Sequence, residues 1–263
     1  MGSLKTPPEI EMMRLAGRVV AEALATMRDA IVPDETTTLD LDEIAAEVLR
    51  KRGAKSAFKD YLPPFSSVAY RHHTCLSVNE EIVHGVPSKK RVLREGDIIS
   101  LDMGASMDGW YADSAITVPV GEVSAAARNL LVVTREALFK GIGQARVGNT
   151  IGDIGAAVQR HAERNRYKVV RELVGHGIGN TVHEDPQIPN HGLPGAGARL
   201  KPGMTICIEP MINIGTEDAA KSLGDGWEVF LTADGSLSAH FEHTVAITEN
   251  GPDILTLPPS EGK

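Results

Sequence analysis

Ile98-Ile-Ser-Leu-Asp-Met103, then Asp108-Gly109, then Trp110-Tyr-Ala-Asp-Ser-Ala-Ile-Thr-Val118 read as two strands joined by a tight turn. The first run is apolar and of strand length. Asp-Gly between two such runs is a two-residue hairpin signal. With that turn, Met107 pairs with Trp110, and counting outward Gly104 pairs with Asp113. Asp102, two positions from Gly104, then shares a face with Asp113, diagonally across the ladder and about 7–8 Å away along the backbone. An aspartate in a turn or on a solvated strand would explain one of them. Both are set among apolar neighbours, and two like charges on one buried face repel strongly unless a cation lies between them. Asp102 and Asp113 are therefore candidate metal ligands.

The same layout recurs downstream. Gly96-Asp-Ile-Ile-Ser-Leu-Asp102 resembles Gly203-Met-Thr-Ile-Cys-Ile-Glu209, each with an acidic residue six positions after a glycine. Asp113-Ser-Ala-Ile-Thr-Val118 resembles Glu242-His-Thr-Val-Ala-Ile247, and Leu41–Val48 resembles Ile151–Val158. Chance similarity between α/β segments is the bland explanation, but the order of the three pairs is the same. We read a helix–helix–strand–hairpin unit used twice, an α+β fold with halves at about 8–122 and 123–257 of a single domain spanning 1–263. Helices are predicted over 8–31, ended by Pro33; over 41–52, with an N-cap in Thr38–Asp40 and Gly53 as the stop; over 124–141; and over 150–165. Residues 54–75 read as irregular. Glu209 precedes Pro210, which has no N–H, so a strand ends there. Glu242 opens the strand His243–Thr248. A glutamate at a strand end is usually only exposed; the correspondence with Asp102 and Asp113 raises both as ligands.

His176 stands in Gly175-His-Gly-Ile-Gly179, too glycine-rich for a helix interior and lacking the spacing of a dinucleotide loop. His183-Glu-Asp-Pro186 lacks the second histidine of a zincin helix. A lone histidine is more often a satisfied core residue, but two of them seven positions apart in a glycine loop are harder to dismiss. His84, after an apolar pair and before a turn, has a weak context by itself. His72, His73, His161 and His191 read as surface or structural. Asp102, Asp113, His176, Glu209 and Glu242 together offer four hard oxygen donors and one imidazole. That set suits two adjacent divalent cations, with Mn, Fe, Co or Zn all compatible, and two such cations activating a water would make a hydrolase.

The bulk properties agree. The 263 residues are 42 % hydrophobic and 24 % charged, ordinary for a globular chain. A net charge of -8 leaves no basic footprint for nucleic acid. No apolar run approaches the ~20 residues of a membrane span, and Met1–Pro8 lacks the apolar core of a signal peptide. Two cysteines in unlike contexts, Cys75 and Cys207, suggest a reducing cytoplasm rather than a disulfide framework. No long apolar stripe calls for a partner copy, so a monomer is expected.

Taken as a set, Ser77–Pro87, Asp102 through Asp113, Gly175–Gly179, His183-Glu184, Ile208-Glu-Pro210 and Phe241-Glu-His-Thr244 resemble the type I methionine aminopeptidases, over about residues 8–257. The resemblance implies the pita-bread fold, two pseudo-symmetric halves around an antiparallel sheet with helices outside. It implies metal-dependent removal of the N-terminal methionine from nascent polypeptides, with a small second residue preferred. It also leaves room for ribosome contact, for which no basic patch is visible. Asp113 and Glu242 would bridge two cations, Asp102 would complete one site, and His176 with Glu209 the other. Glu209 would also shuttle a proton. His84 would contact the scissile amide or the developing amine, and His183 the scissile carbonyl. Tyr61, Cys75 and Trp227 would line the methionine pocket. Three features depart from the family pattern: a longer loop between Tyr61 and Cys75, Val182 where a larger apolar residue is common, and His240 where glutamine is usual.

Rival readings are weaker. A proline-specific aminopeptidase or dipeptidase normally carries a large extra N-terminal domain, whereas about 90 residues precede the first motif strand here. A non-catalytic relative that binds partners would have lost ligands, and a plain α+β domain would not match so many segments. His176 has no counterpart in the first half, so the two metal sites are expected to be inequivalent.

Overall fold

Asp108 and Gly109 both take left-handed backbone angles, φ 48° and 84°, which suits the right-handed twist of the strands they join. This computed structural model describes residues 3–62, 68–224 and 226–258. Strands Ile98–Met107 and Trp110–Pro119 pair in the anticipated register, Met107 with Trp110 and Gly104 with Asp113. The first strand runs four residues beyond the predicted Met103, because its end also pairs with Lys55–Ser56. Gly104 is needed there: a Cβ would lie 2.7 Å from Ala57 Cβ.

The four helices fall where the pattern placed them: α1 Pro7–Asp29, α2 Thr38–Arg52, α3 Ala125–Ile142 and α4 Ile151–Arg164. α2 starts earlier than predicted because Thr37, one residue before the proposed cap, closes a reciprocal capping box with Asp40. Thr150 and Asp153 close the same box on α4, one repeat later. Gly53 ends α2 in the left-handed conformation, as read. α1 stops four residues short of Pro33, with Ala30 as its cap.

α1 and α2 bury Val20, Leu24, Met27 and Leu41 against Leu101 and Met103 of the first hairpin. The second half repeats the arrangement: Leu138 and Ile142 of α3 and Ile154 of α4 pack with Ile206, Ile208 and Val245. The halves join through Glu242–Thr248, which pairs with Trp110–Pro119 on one side and Thr205–Ile208 on the other. Thr244 stitches this seam, its hydroxyl accepting from the Asp113 N–H at 2.9 Å and donating to the Asp113 carbonyl at 2.8 Å. Among the described residues this antiparallel sheet has nine strands, and two three-stranded sheets flank it. Part of the loop predicted between Tyr61 and Cys75, residues 63–67, lies outside the described residues. No helix among the described residues is long and apolar enough to cross a membrane.

Candidate metal centre

The seam brings the acidic residues together. Asp102 sits opposite Ala115, and Ala115 is also opposite Glu242, so both carboxylates flank the strand that carries Asp113. One oxygen from each of Asp102, Asp113 and Glu242 lies within 4.8 Å of the others. Glu209 follows the last residue of its strand, as Pro210 requires, and Asn190 Nδ2 donates to its backbone carbonyl at 3.0 Å. His176 Nδ1 donates to the Gly177 carbonyl at 2.9 Å. The proton is thereby held on Nδ1, and Nε2, 3.5 Å from Glu209 Oε1, keeps a lone pair for a cation. A Cβ at Gly175 would collide with the Cys207 carbonyl oxygen, so only glycine lets this loop approach so closely.

The electrostatics are those of a cation site. Burial first, and then repulsion from its neighbours, drives Asp102, Glu209 and Glu242 well above the usual carboxyl range, and burial raises Asp113 to about 7. No lysine or arginine lines the cavity to offset them among the described residues. Asp113 Oδ1 and Glu242 Oε1 are buried without a hydrogen-bond partner. Unpaired buried oxygens are costly and call for a ligand. Burial pushes His176 down to about 3, leaving the neutral imidazole that a metal needs. The residues present therefore fit divalent cations. Cys207 Sγ also reaches His176 and Glu242, but burial and the surrounding carboxylates raise its thiol and keep it protonated, a poor donor for a hard cation. Both cysteines are free and buried.

These groups form one wall of a cavity of about 550 Å³. Tyr61, Cys75, His84, His183, Trp227 and His240 line the same cavity. His183 lies with its ring centre 4.4 Å from that of His176, and its Nδ1 is 3.0 Å from the Tyr61 hydroxyl. His84 is held at φ 65°, rare for a residue with a side chain, and its ring packs edge-on against Phe230. Val182 is buried beside the loop. His240 points both ring nitrogens into buried space with no hydrogen-bond partner, Nε2 being 3.7 Å from Glu209 Oε2.

Some cavity residues were not singled out from the sequence. Phe58 and Tyr70 form part of its wall. Tyr70 packs on Trp227 at 4.8 Å and donates its hydroxyl to the Thr74 carbonyl. Each stands in a segment without periodicity or motif, so no local signal marks it. His72 and His73 proved structural as read: the His73 and Thr74 amides donate to a buried Asp42 carboxylate, and the His72 ring lies against it.

A sheet folded from two like halves over clustered carboxylates and a histidine defines a metallopeptidase scaffold. Residues 11–249 match the model of metallopeptidase family M24, and the chain belongs to that family. It is thus an enzyme, a hydrolase. Within the family it is similar to methionine aminopeptidases. It is 49 % identical to methionine aminopeptidase 1 of Bacillus subtilis, over 96 % of this chain and 98 % of that one. Identity is 48 % to the methionine aminopeptidase of Aquifex aeolicus, over 94 % and 96 %. The crystal structure of the Thermotoga maritima methionine aminopeptidase superposes with a TM-score of 0.92 at 46 % identity, covering 97 % of this chain and 99 % of that one. A prolidase from Pyrococcus furiosus shares the fold, with a TM-score of 0.76 at 24 % identity, but this chain covers only 65 % of it. The pita-bread fold is therefore that of this chain.

Proposed function

We propose that this chain, as one catalytic unit, removes the N-terminal methionine from nascent polypeptides in the cytoplasm and prefers a small second residue. The observation that carries the reading is the cavity itself. It combines four enclosed, cation-seeking carboxylates and a neutral His176 with aromatic walls suited to a flexible apolar side chain. Relatives named for this activity, matched over nearly their whole length, support it.

Asp113 and Glu242 would hold two divalent cations between them, Asp102 completing one site and His176 with Glu209 the other. When bound, such cations polarise the scissile carbonyl and bring a water's pKa towards neutrality. Glu209 then takes a proton from the attacking water and delivers it to the leaving amine. Burial lowers His183, so its ring is neutral. If the Tyr61 hydroxyl donates to Nδ1, the ring proton sits on Nε2, free to donate to the carbonyl oxygen as negative charge grows there. His84 faces the amide nitrogen, and the strain in its backbone is of the kind found at functional residues. Trp227, Tyr61 and Cys75 enclose the methionine side chain.

The test is release of free methionine from Met-Ala-Ser with Co²⁺ or Mn²⁺ added, before and after chelation, with Met-Leu-Ser as the bulky comparison. Metal-dependent release from the first and much less from the second is expected. Folded protein that releases no methionine with either metal would refute the reading.

A further inference from the structure

Lys5 is buried against the site loop, its side chain only 2 % exposed. It precedes α1, far in sequence from the residues it touches. Its backbone N–H donates to the Gly203 carbonyl at 2.7 Å, in the turn leading to the strand Thr205–Ile208 that Glu209 follows. Its stem crosses over Gly179, where a Cβ would collide with Lys5 Cε; this is a reason for the last glycine of the His176 loop. Its ammonium donates to Glu184 Oε2 at 2.6 Å and to the Ser3 carbonyl at 2.9 Å. The other Glu184 oxygen, Oε1, accepts from the Asn180 amide at 2.9 Å and the Thr181 amide at 3.4 Å. Thr181 in turn donates its hydroxyl to the His183 carbonyl at 3.0 Å. The turn carrying His183 is thus closed by one carboxylate, and that carboxylate is held by one lysine.

We propose that Lys5 is a positioning residue: through Glu184 it clamps the 180–184 turn and so sets where His183 stands beside His176. The inference rests on the reading of His183 as the group at the scissile carbonyl. Glu184, 14 % exposed at its side chain, has no other cation to meet its Oε2 among the described contacts. Without the ammonium, a carboxylate shielded from water would be drawn outward to solvent, releasing two amides and the histidine they frame. Small displacements of a catalytic donor are costly to rate while leaving binding elsewhere intact.

Lys5→Met keeps the apolar stem and removes the donors. We expect kcat on Met-Ala-Ser to fall by about tenfold to a hundredfold, with KM and bound Mn²⁺ nearly unchanged, and Lys5→Arg to recover most of the loss. In a His183→Ala background, Lys5→Met should cost nothing further. In the metal-free protein, amide exchange at Asn180 and Thr181 should quicken at least about tenfold in Lys5→Met. Glu184→Gln, which keeps an acceptor for both amides, should show the same pattern at smaller size. Equal losses with and without His183 would make Lys5 a structural staple and overturn the proposal. Unchanged exchange would overturn the clamp whatever the activity. If wild-type protein releases no methionine yet exchange quickens, the activity reading falls and the clamp stands.

Discussion

Removing the cations leaves four carboxyls facing one another, three of them buried, and Asp113 gives the size of the consequence. Burial lifts its carboxyl from an ordinary 3.8 to about 7. The unfolded chain gives up this proton above pH 3.8, whereas the folded, metal-free chain keeps it until about pH 7. Folding therefore carries no penalty from this group below pH 3.8, and stability is lost progressively as pH rises towards 7. A gap of roughly 3 pH units, at 1.36 kcal/mol each, is about 4 kcal/mol, a large share of the ~5–15 kcal/mol that holds a domain folded. Asp113→Asn cannot ionise and removes this dependence. Denaturant titrations of chelated wild type and variant, from about pH 4.5 to about pH 8, should show the variant gaining on wild type by about 3 kcal/mol across that range. Mn²⁺ at a hundred times its Kd should then return about 2.7 kcal/mol to the wild type and far less to the variant. A stability difference that stays flat with pH would mean that Asp113 ionises normally without metal. The cluster would then not demand a cation.

Two further outcomes follow from the geometry. His183→Ala should lower kcat by about 10²–10³, the usual cost of losing one oxyanion donor, with bound metal measured by elemental analysis unchanged; lost metal would mean that His183 ligates directly. Gly175→Ala places a methyl against the Cys207 carbonyl oxygen, in a sheet that cannot yield cheaply, and should cost about 1–3 kcal/mol by denaturant titration together with weakened metal binding.

Much of this molecule is written locally. The Asp108-Gly109 turn admits one register, and because side chains alternate along a strand, that register alone puts Asp102 and Asp113 on one face. Thr-x-x-Asp before an apolar run starts α2 and α4 alike, and Pro210 ends a strand wherever the rest of the chain goes. Glu209 and Glu242 were legible through the repeat, since each occupies the place of an acidic residue already argued in the first half.

What local pattern could not supply are the relations that depend on contact across a hundred residues or more. Glu242 reaches Asp113 because its strand pairs across the seam, held by Thr244 on both sides of the Asp113 peptide. The left-handed backbone at His84, the burial of His240 with no partner, and the aromatic wall of Phe58 and Tyr70 have no periodicity to announce them. Lys5 is the clearest case. In sequence it is one charge before a helix; folded, it is buried against a carboxylate 179 positions away. Hydrogen-bonding turns and caps are short-range and therefore readable, whereas a charge finds its partner only when packing has excluded the water that would otherwise satisfy it.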